Sequence, residues 1–268
     1  LEQLRRWAEA LGVAPERMRN LASIEDWKKV VKDAIGERRL LLVLDDVWSV
    51  KDAREFAGLG PACVTLVTTR LRKVAADLWL QGRITEVDEL DEASGLDLLT
   101  HIAPHAVAAD PDGARRMVGT VQGLPLALVL VGKFLKRESG DKDPDRIAEA
   151  FTTLRTAGER LKLRLHDEEE GGDERTLEEI IDVSFGALPS DAARTALARL
   201  AIFRPKPHLF SKAMARDICD TEASLLYQLN DMGLVEHAGG GDYTMHRVIA
   251  EYARKKLPRS DAEALNRK

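Results

Sequence analysis

The chain has 268 residues, enough for one large domain or a few small ones, and its 44% hydrophobic content suffices for packed cores. Its 40 Lys and Arg residues against 45 Asp and Glu residues leave a net charge of −5, which excludes a global basic field for nucleic acid or anionic lipid. The longest apolar stretch, Leu124 to Val131, is far shorter than the ~20 residues of a membrane span, and Cys63 and Cys219 indicate no disulfide framework, so we expect a cytoplasmic protein without membrane segments.

The first third of the chain has an α/β pattern. Helical periodicity covers Leu1 to Leu11 and Ile24 to Ile35, and Gly36 is a plausible end for the second helix. Three short apolar runs predict strands: Leu40 to Leu44, Val64 to Val67 and Ile84 to Val87. Because fully apolar strands that alternate with helices favour a parallel sheet covered on both faces, residues 1–90 are predicted to form a partial α/β domain.

Helical patterns dominate after Asp91. The predicted helices are Ala93 to Ile102, Asp112 to Val121, Leu124 to Leu135 and Arg146 to Thr156. Residues 91–165 are therefore predicted to form a small helical bundle. The acidic, glycine-containing stretch 166–175 is interpreted as a solvated linker.

The last part of the chain predicts a winged helix over residues 176–258, followed by a tail at 259–268. Its predicted helices are Leu177 to Phe185, Ala192 to Ala201, Ser211 to Ile218 and Ser224 to Met232. Two short strands, Leu234 to His237 and Tyr243 to Met245, flank a glycine turn that is typical of a hairpin. A final helix runs from Arg247 to about Leu257.

Two adjacent carboxylates, Asp45 and Asp46, follow the first apolar strand. The carboxyl end of such a strand is where α/β proteins bind ligands, and an Asp there can hold Mg²⁺ while a second acidic residue acts on the attacking water. The pair could equally cap the turn after the strand. The strand followed by two Asp residues leaves both interpretations open.

The second strand also ends in polar residues, Thr68, Thr69 and Arg70. An Arg at this edge can sense a γ-phosphate, because its guanidinium donates bidentately to phosphate oxygens. A solvated Arg after a strand is the alternative for this segment alone.

Two further positions are candidates for ligand contact. Gly123-Leu124-Pro125-Leu126 starts a long apolar helix, where the glycine could also just end one helix and Pro125 begin the next. His246 precedes the last helix and could reach a phosphate from there, although a lone histidine at this place is commonly a packed or solvated residue.

Together these segments resemble the NB-ARC family of the STAND class of P-loop signalling NTPases. LLLVLDDVW, VTTR, GLPLA and MHR are similar to the Walker B, sensor, GLPL and MHD motifs, in the family's order. The resemblance implies ADP or ATP with Mg²⁺ as ligands, with Asp45 as the Mg²⁺ residue, acting through water, and Asp46 as the catalytic residue. It also implies nucleotide contacts from five further residues or pairs: Thr69 and Arg70, Gly123, Pro125 against adenine, Leu126, and His246 at the β-phosphate.

The sequence departs from the family at two places. Arg247 stands where the MHD motif has Asp, and GxxxxGK[ST] occurs nowhere, since Ala127 and Phe134 break the pattern around Gly132-Lys133. We therefore expect the phosphate loop to lie upstream of Leu1, and this chain alone to be inactive or at most a slow ATPase.

The sequence supports three functional hypotheses. The leading one is an ADP/ATP-dependent switch that controls domain opening and assembly, with protein partners or self-association through effector and sensor regions outside the chain. A working ATPase and a DNA-binding regulator that uses the winged helix are the alternatives. Nucleic-acid contact is not favoured, since Ser224 to Met232, the candidate recognition helix, has no Lys or Arg.

Overall fold

A computed structural model describes residues 1–78, 84–140, 142–165, 172–219 and 224–257. The chain divides into two compact units, Leu1–Val87 and the chain from Asp88 onward. Across the described residues, no helix has both the length and the apolar character that crossing a membrane requires.

The first unit is mixed α/β. Its elements are α1 (Glu2–Ala10), α2 (Pro15–Met18), α3 (Ile24–Ile35), β1 (Leu41–Leu44), α4 (Val50–Phe56), β2 (Val64–Val67) and α5 (Arg72–Leu78). Helix α3 has the predicted bounds because both ends are specified locally. Ser23 and Asp26 form a capping box at its start, and Gly36 ends it with φ +54°.

The two strands form a parallel sheet, as predicted, with Leu41 opposite Val64 and Leu44 opposite Val67. One face holds Leu42, which packs with helical residues such as Leu4, Val31 and Ile35. The other face is exposed, because Leu41, Val43, Val64 and Leu66 are 50–66% accessible. The prediction that this sheet is covered on both faces is therefore wrong for the described residues.

The third predicted strand, Ile84 to Val87, is also wrong. These residues have no strand structure, and Ile84 and Val87 are 57% and 93% exposed. An apolar run becomes a strand only if a neighbouring strand pairs with its backbone. In the described residues the parallel sheet consists of β1 and β2.

The second unit consists mainly of helices. They are α6 (Glu92–Ile102), α7 (Pro104–Ala109), α8 (Pro111–Thr120), α9 (Pro125–Glu138), α10 (Pro144–Leu165), α11 (Gly172–Gly186), α12 (Asp191–Leu200), α13 (Lys212–Cys219), α14 (Ser224–Asp231) and α15 (Arg247–Lys255). Three short strands, β3 (Phe210–Ser211), β4 (Glu236–Gly239) and β5 (Asp242–Thr244), form an antiparallel sheet in the order β3-β5-β4. The predicted hairpin is confirmed, and it closes through Gly240 and Gly241, both with positive φ.

One hydrophobic core runs through the second unit, from Leu99 in α6 to Ala253 in α15. Helix α9 is central to this core, because Leu128, Leu130, Val131 and Leu135 are fully buried. Its alternation of buried and partly exposed residues places one broad apolar face against α6, α10 and α11.

Some predicted boundaries lie elsewhere in the structure. Residues 172–175 of the predicted linker belong to α11, because acidic residues that suit a solvated loop also suit the first turn of a helix. Residues 166–171 of that linker and the predicted tail at 259–268 lie outside the described residues. The two hairpin strands were predicted within two residues of their observed ends.

Candidate nucleotide site

The parallel sheet brings the polar ends of β1 and β2 together. Asp45 and Asp46 follow β1, Thr68 follows β2, and the carboxyl ends of parallel strands lie at the same edge. The backbone pairing continues past the strands. The N–H of Thr68 donates to the carbonyl oxygen of Leu44, and its carbonyl oxygen accepts from the N–H of Val47, both at 2.9 Å.

A side-chain network links the two strand ends. The Thr68 hydroxyl donates to Oδ1 of Asp45 at 2.5 Å and accepts a hydrogen bond from the Asp46 N–H at 2.9 Å. Both carboxylates are exposed. Asp45 and Asp46 lie at the carboxyl edge of the parallel sheet, as the sequence predicted, and their roles stay predictions.

Asp46 has a left-handed backbone conformation, with φ +52°. For a residue other than glycine this region costs roughly 1–2 kcal/mol, although Asp tolerates it better than most residues. The hydrogen bond from its N–H to Thr68 holds the backbone there. This turn directs the Asp46 side chain toward Arg70.

Arg70 contacts the second carboxylate and an aromatic ring. Its Nε lies 3.3 Å from Oδ1 of Asp46, and its guanidinium carbon lies 4.6 Å from the ring centre of Trp48. Both partners of this ion pair are about half exposed, so solvent screening leaves it a small contribution to stability. The contacts nevertheless hold a cation at the carboxyl edge of the sheet.

Thr69, a predicted nucleotide contact, is engaged with the backbone. Its hydroxyl donates to the carbonyl oxygen of Val47 at 2.7 Å and accepts from the N–H of Leu71 at 3.1 Å. These bonds stabilise the turn that follows β2. Of the two threonines, Thr68 is the one whose hydroxyl faces the carboxylates.

In the second unit, Gly123 is required by a close backbone contact. It has φ +69°, and a Cβ atom built on it would lie 2.0 Å from the carbonyl oxygen of Leu90. Its own carbonyl oxygen accepts from the N–H of Leu90 at 3.1 Å. Pro125 is the first residue of α9 and is exposed, and Leu126 is partly buried. The GLPL segment thus fixes the start of α9.

His246 is the N-cap residue of α15. Its Nδ1 accepts a hydrogen bond from the N–H of Val248 at 3.3 Å. Arg247, which replaces the acidic residue of the MHD motif, forms an i, i+4 ion pair with Glu251 at 2.8 Å. Local support for the histidine therefore comes from the helix backbone.

The donor chemistry at the sheet edge fits Mg²⁺ and a terminal phosphate. Mg²⁺ is bound in proteins by one or two carboxylates together with water and phosphate oxygens, and Asp45 and Asp46 are exposed carboxylates of this kind. Arg70 carries a guanidinium group, which is of the kind that binds phosphate oxygens. A cradle of backbone N–H groups for the other phosphates needs a loop such as GxxxxGK[ST], which the 268 residues do not contain.

Sequence reasoning missed two members of the network, Thr68 and Trp48. Thr68 stood within the VTTR segment, but only the pairing of β1 with β2 shows which threonine reaches the carboxylates. Trp48 was quoted within the Walker B segment without a role, and its contact with Arg70 joins residues 22 positions apart. The useful clue was a hydroxyl residue directly after the second strand.

A mixed α/β chain with a small parallel sheet, many helices and carboxylates at the strand ends has the fold class of the P-loop signalling NTPases. Residues 3–108 match the model of the NB-ARC domain. This match contains Asp45, Asp46 and Arg70 but ends before Gly123 and His246.

Two proteins are similar in sequence to this chain. The chain is 28% identical over 259 residues to regulatory protein AfsR of Streptomyces coelicolor, which covers 95% of this chain and 24% of AfsR. It is 29% identical over 137 residues to disease resistance protein RPV1 of Vitis rotundifolia, covering 46% of this chain and 9% of that protein. This chain thus spans about a quarter of the length of AfsR and less of RPV1.

A solved structure shows the fold over nearly the whole chain. It is a STAND protein with a tetratricopeptide repeat sensor from Pyrococcus horikoshii, with a TM-score of 0.64 at 16% identity. The alignment covers 97% of this chain and 35% of the archaeal one. The likeness therefore includes the helical second unit as well as the sheet.

Proposed function

We propose that this chain is the distal part of an ADP/ATP-dependent switch in a longer signalling protein. One observation carries the proposal: the network of Asp45, Thr68, Asp46 and Arg70 at the carboxyl edge of two parallel strands. The NB-ARC match includes this whole network. If Asp45 and Asp46 only capped the turn after β1, the ion pair between Asp46 and Arg70, which follows the neighbouring strand, would not be needed.

Each residue of the edge has a proposed task. Asp45 would hold Mg²⁺ through water, Asp46 would accept a proton from the attacking water, and Arg70 would donate hydrogen bonds to the γ-phosphate. Bound Mg²⁺ supplies positive charge that offsets the negative charge of the phosphates. ATP hydrolysis would be slow, because the proposed output of the switch is a change in domain arrangement and not the product of hydrolysis.

The second unit supplies the domains that respond to nucleotide. Residues 91–165 are the proposed helical bundle, which would correspond to the ARC1 domain of the NB-ARC family. Residues 176–258 are the proposed winged helix, which would correspond to its ARC2 domain. The helices α12 to α14 followed by the β4–β5 hairpin support the winged-helix assignment. Pro125 and Leu126 would contact adenine, with Gly123 fixing their position, and His246 would donate through its Nε2–H to the β-phosphate of ADP.

The hydrogen bond at His246 supports that last role. Nδ1 accepts from the N–H of Val248, and in a neutral ring with this bond the proton is on Nε2, a donor of the kind that a phosphate oxygen accepts. Bound ADP would favour a closed state of the whole protein, and ATP would favour an open one. A ligand shifts such an equilibrium only by its differential affinity for the two states.

The phosphate anchor is proposed to come from a segment outside these 268 residues. The exposed aliphatic face of the sheet supports this proposal, since an apolar sheet face is normally buried against another segment. That face consists of Leu41, Val43, Val64 and Leu66. Protein partners and self-association through further regions, in the cytoplasm, complete the proposal.

The test uses the protein in its full natural length. We expect it to retain ADP, detected by chromatography after denaturation, and to become less compact by small-angle scattering when ATP with Mg²⁺ replaces ADP. Asp45→Asn should weaken Mg²⁺-dependent ATP binding by roughly tenfold or more, as loss of a charged ligand implies. Asp52→Asn in α4 is the matched carboxylate control. Equal scattering profiles with ADP and ATP would contradict the switch.

A regulatory role is the second candidate, favoured by the match to AfsR, whose name describes a regulatory protein. A switch module can serve such a regulator without touching DNA itself. Helix α14, the recognition-helix candidate, has the sequence SLLYQLND, without Lys or Arg. We therefore expect no salt-sensitive duplex DNA binding by this chain in a mobility-shift assay, and such binding would revive the DNA-binding alternative.

A further inference from the structure

Thr68 touches both candidate carboxylates through one hydroxyl group. A hydroxyl has one hydrogen to donate and two lone pairs, so it can serve two partners at once. Here the hydrogen goes to Oδ1 of Asp45 and a lone pair accepts the N–H of Asp46. The two bonds act on different parts of the site, since one orients a side chain and the other holds a backbone.

The backbone of Thr68 keeps this hydroxyl in place. Its N–H and carbonyl oxygen bond to Leu44, just before the carboxylates, and to Val47, just after them. Backbone hydrogen bonds to Thr68 therefore lie on both sides of the segment with Asp45 and Asp46. A change in the Thr68 side chain would affect the carboxylates without removing these backbone bonds.

We propose that Thr68 is a positioning residue for the Mg²⁺–nucleotide site, a role that rests on the proposed switch function. By donating to Oδ1, Thr68 limits the orientations that the Asp45 carboxylate can adopt. By accepting the Asp46 N–H, it holds the left-handed turn that keeps Asp46 beside Arg70. Thr69, the threonine that the family resemblance points to, is bonded to backbone groups.

Isosteric and conservative variants separate this role from packing. Thr68→Val keeps the side-chain shape but has no hydroxyl, whereas Thr68→Ser keeps the hydroxyl. Thr65→Val, three residues earlier in β2 and opposite Leu42, is the matched control. All are made in the protein of full natural length, and the affinity for ATP is measured once with Mg²⁺ and once with EDTA.

The expected result is specific to Mg²⁺. The gain in ATP affinity that Mg²⁺ brings should fall about tenfold in Thr68→Val, as expected for loss of a hydrogen bond to a charged group. The affinity in EDTA should stay within about twofold. Thr68→Ser and Thr65→Val should keep the Mg²⁺ gain. A purely structural effect would lower affinity in both conditions, so an equal loss with and without Mg²⁺ would overturn the positioning role.

A second measurement is independent of nucleotide. The amide hydrogen of Asp46 should exchange with solvent about tenfold faster in Thr68→Val than in the Thr68→Ser variant, because its acceptor is gone. Unchanged exchange would overturn the geometry behind the proposal. If Thr68→Val does not fold, Thr68→Ala is measured in its place.

The two proposals fail differently. If the wild-type protein binds no nucleotide under any condition, the switch function fails, and the role of Thr68 fails with it. If the wild-type protein binds ATP with a clear Mg²⁺ gain and Thr68→Val keeps that gain, only the positioning role fails.

Discussion

The two units differ in how completely their apolar surface is buried. The second unit has one core that extends from Leu99 to Ala253, whereas the core of the first unit is a small cluster around Leu4, Trp27 and Leu42. The first unit also exposes an aliphatic sheet face. Since stability from burial grows with buried apolar area, we expect the unit with the candidate nucleotide edge to be the less stable of the two.

The largest expected effect is in the core of the second unit. Leu128 in α9 is fully buried, so Leu128→Ala should lower the free energy of unfolding by about 3–5 kcal/mol through lost burial and a cavity. Val64→Ala, on the open sheet face, should change it by less than about 0.5 kcal/mol. Chemical denaturation of the 268-residue chain measures both. Similar losses at both positions would break the comparison between the units.

Alanine substitutions at two separate glycines should give the next largest change in stability. Gly123→Ala should cost about 2–3 kcal/mol, since its φ of +69° strains any Cβ and that atom would approach the Leu90 carbonyl oxygen at 2.0 Å. Gly119→Ala in α8 is the control, because nothing lies within 4 Å of its Cβ position and alanine favours helix by about 1 kcal/mol. Thermal unfolding of the two variants should shift in opposite directions.

The smallest effect is a pH dependence within the second unit. Lys133 of α9 is partly buried, and its Nζ donates to the carbonyl oxygen of Asn230 near the end of α14. Burial lowers its pKa below the ordinary value of 10.5, and the charges of Asp231 and Glu236 offset part of this.

The sign of this dependence follows from proton binding. Between the lowered folded pKa and 10.5, the unfolded chain binds more protons at Lys133 than the folded one, so stability rises with pH in that window. The stability of the wild type minus that of Lys133→Met should therefore increase as pH rises toward 10.5, by about 1 kcal/mol or less. Urea denaturation at several pH values measures the difference, and a decrease with pH would contradict the burial of Lys133.

Local sequence patterns predicted most helices well because their determinants are local. Ile24–Ile35 has its capping box and its terminal glycine within the helix and its flanks, and the hairpin has its glycines in the turn. The short helices α2, α4, α5 and α7 were not assigned, since one or two turns with weak periodicity resemble loops. Ile84–Val87 failed as a strand because pairing depends on residues far away along the chain.

For the candidate site, the sequence by itself determined which residues are the candidates and their order along the chain. Two carboxylates after an apolar strand and an Arg after the next are fixed by order along the chain, and the family match includes them. Only the tertiary structure decided which groups meet. The parallel register of β1 and β2 brings Thr68 to Asp45 and Arg70 to Asp46, because hydrogen bonds between strands join residues more than 20 positions apart, beyond the reach of any local pattern.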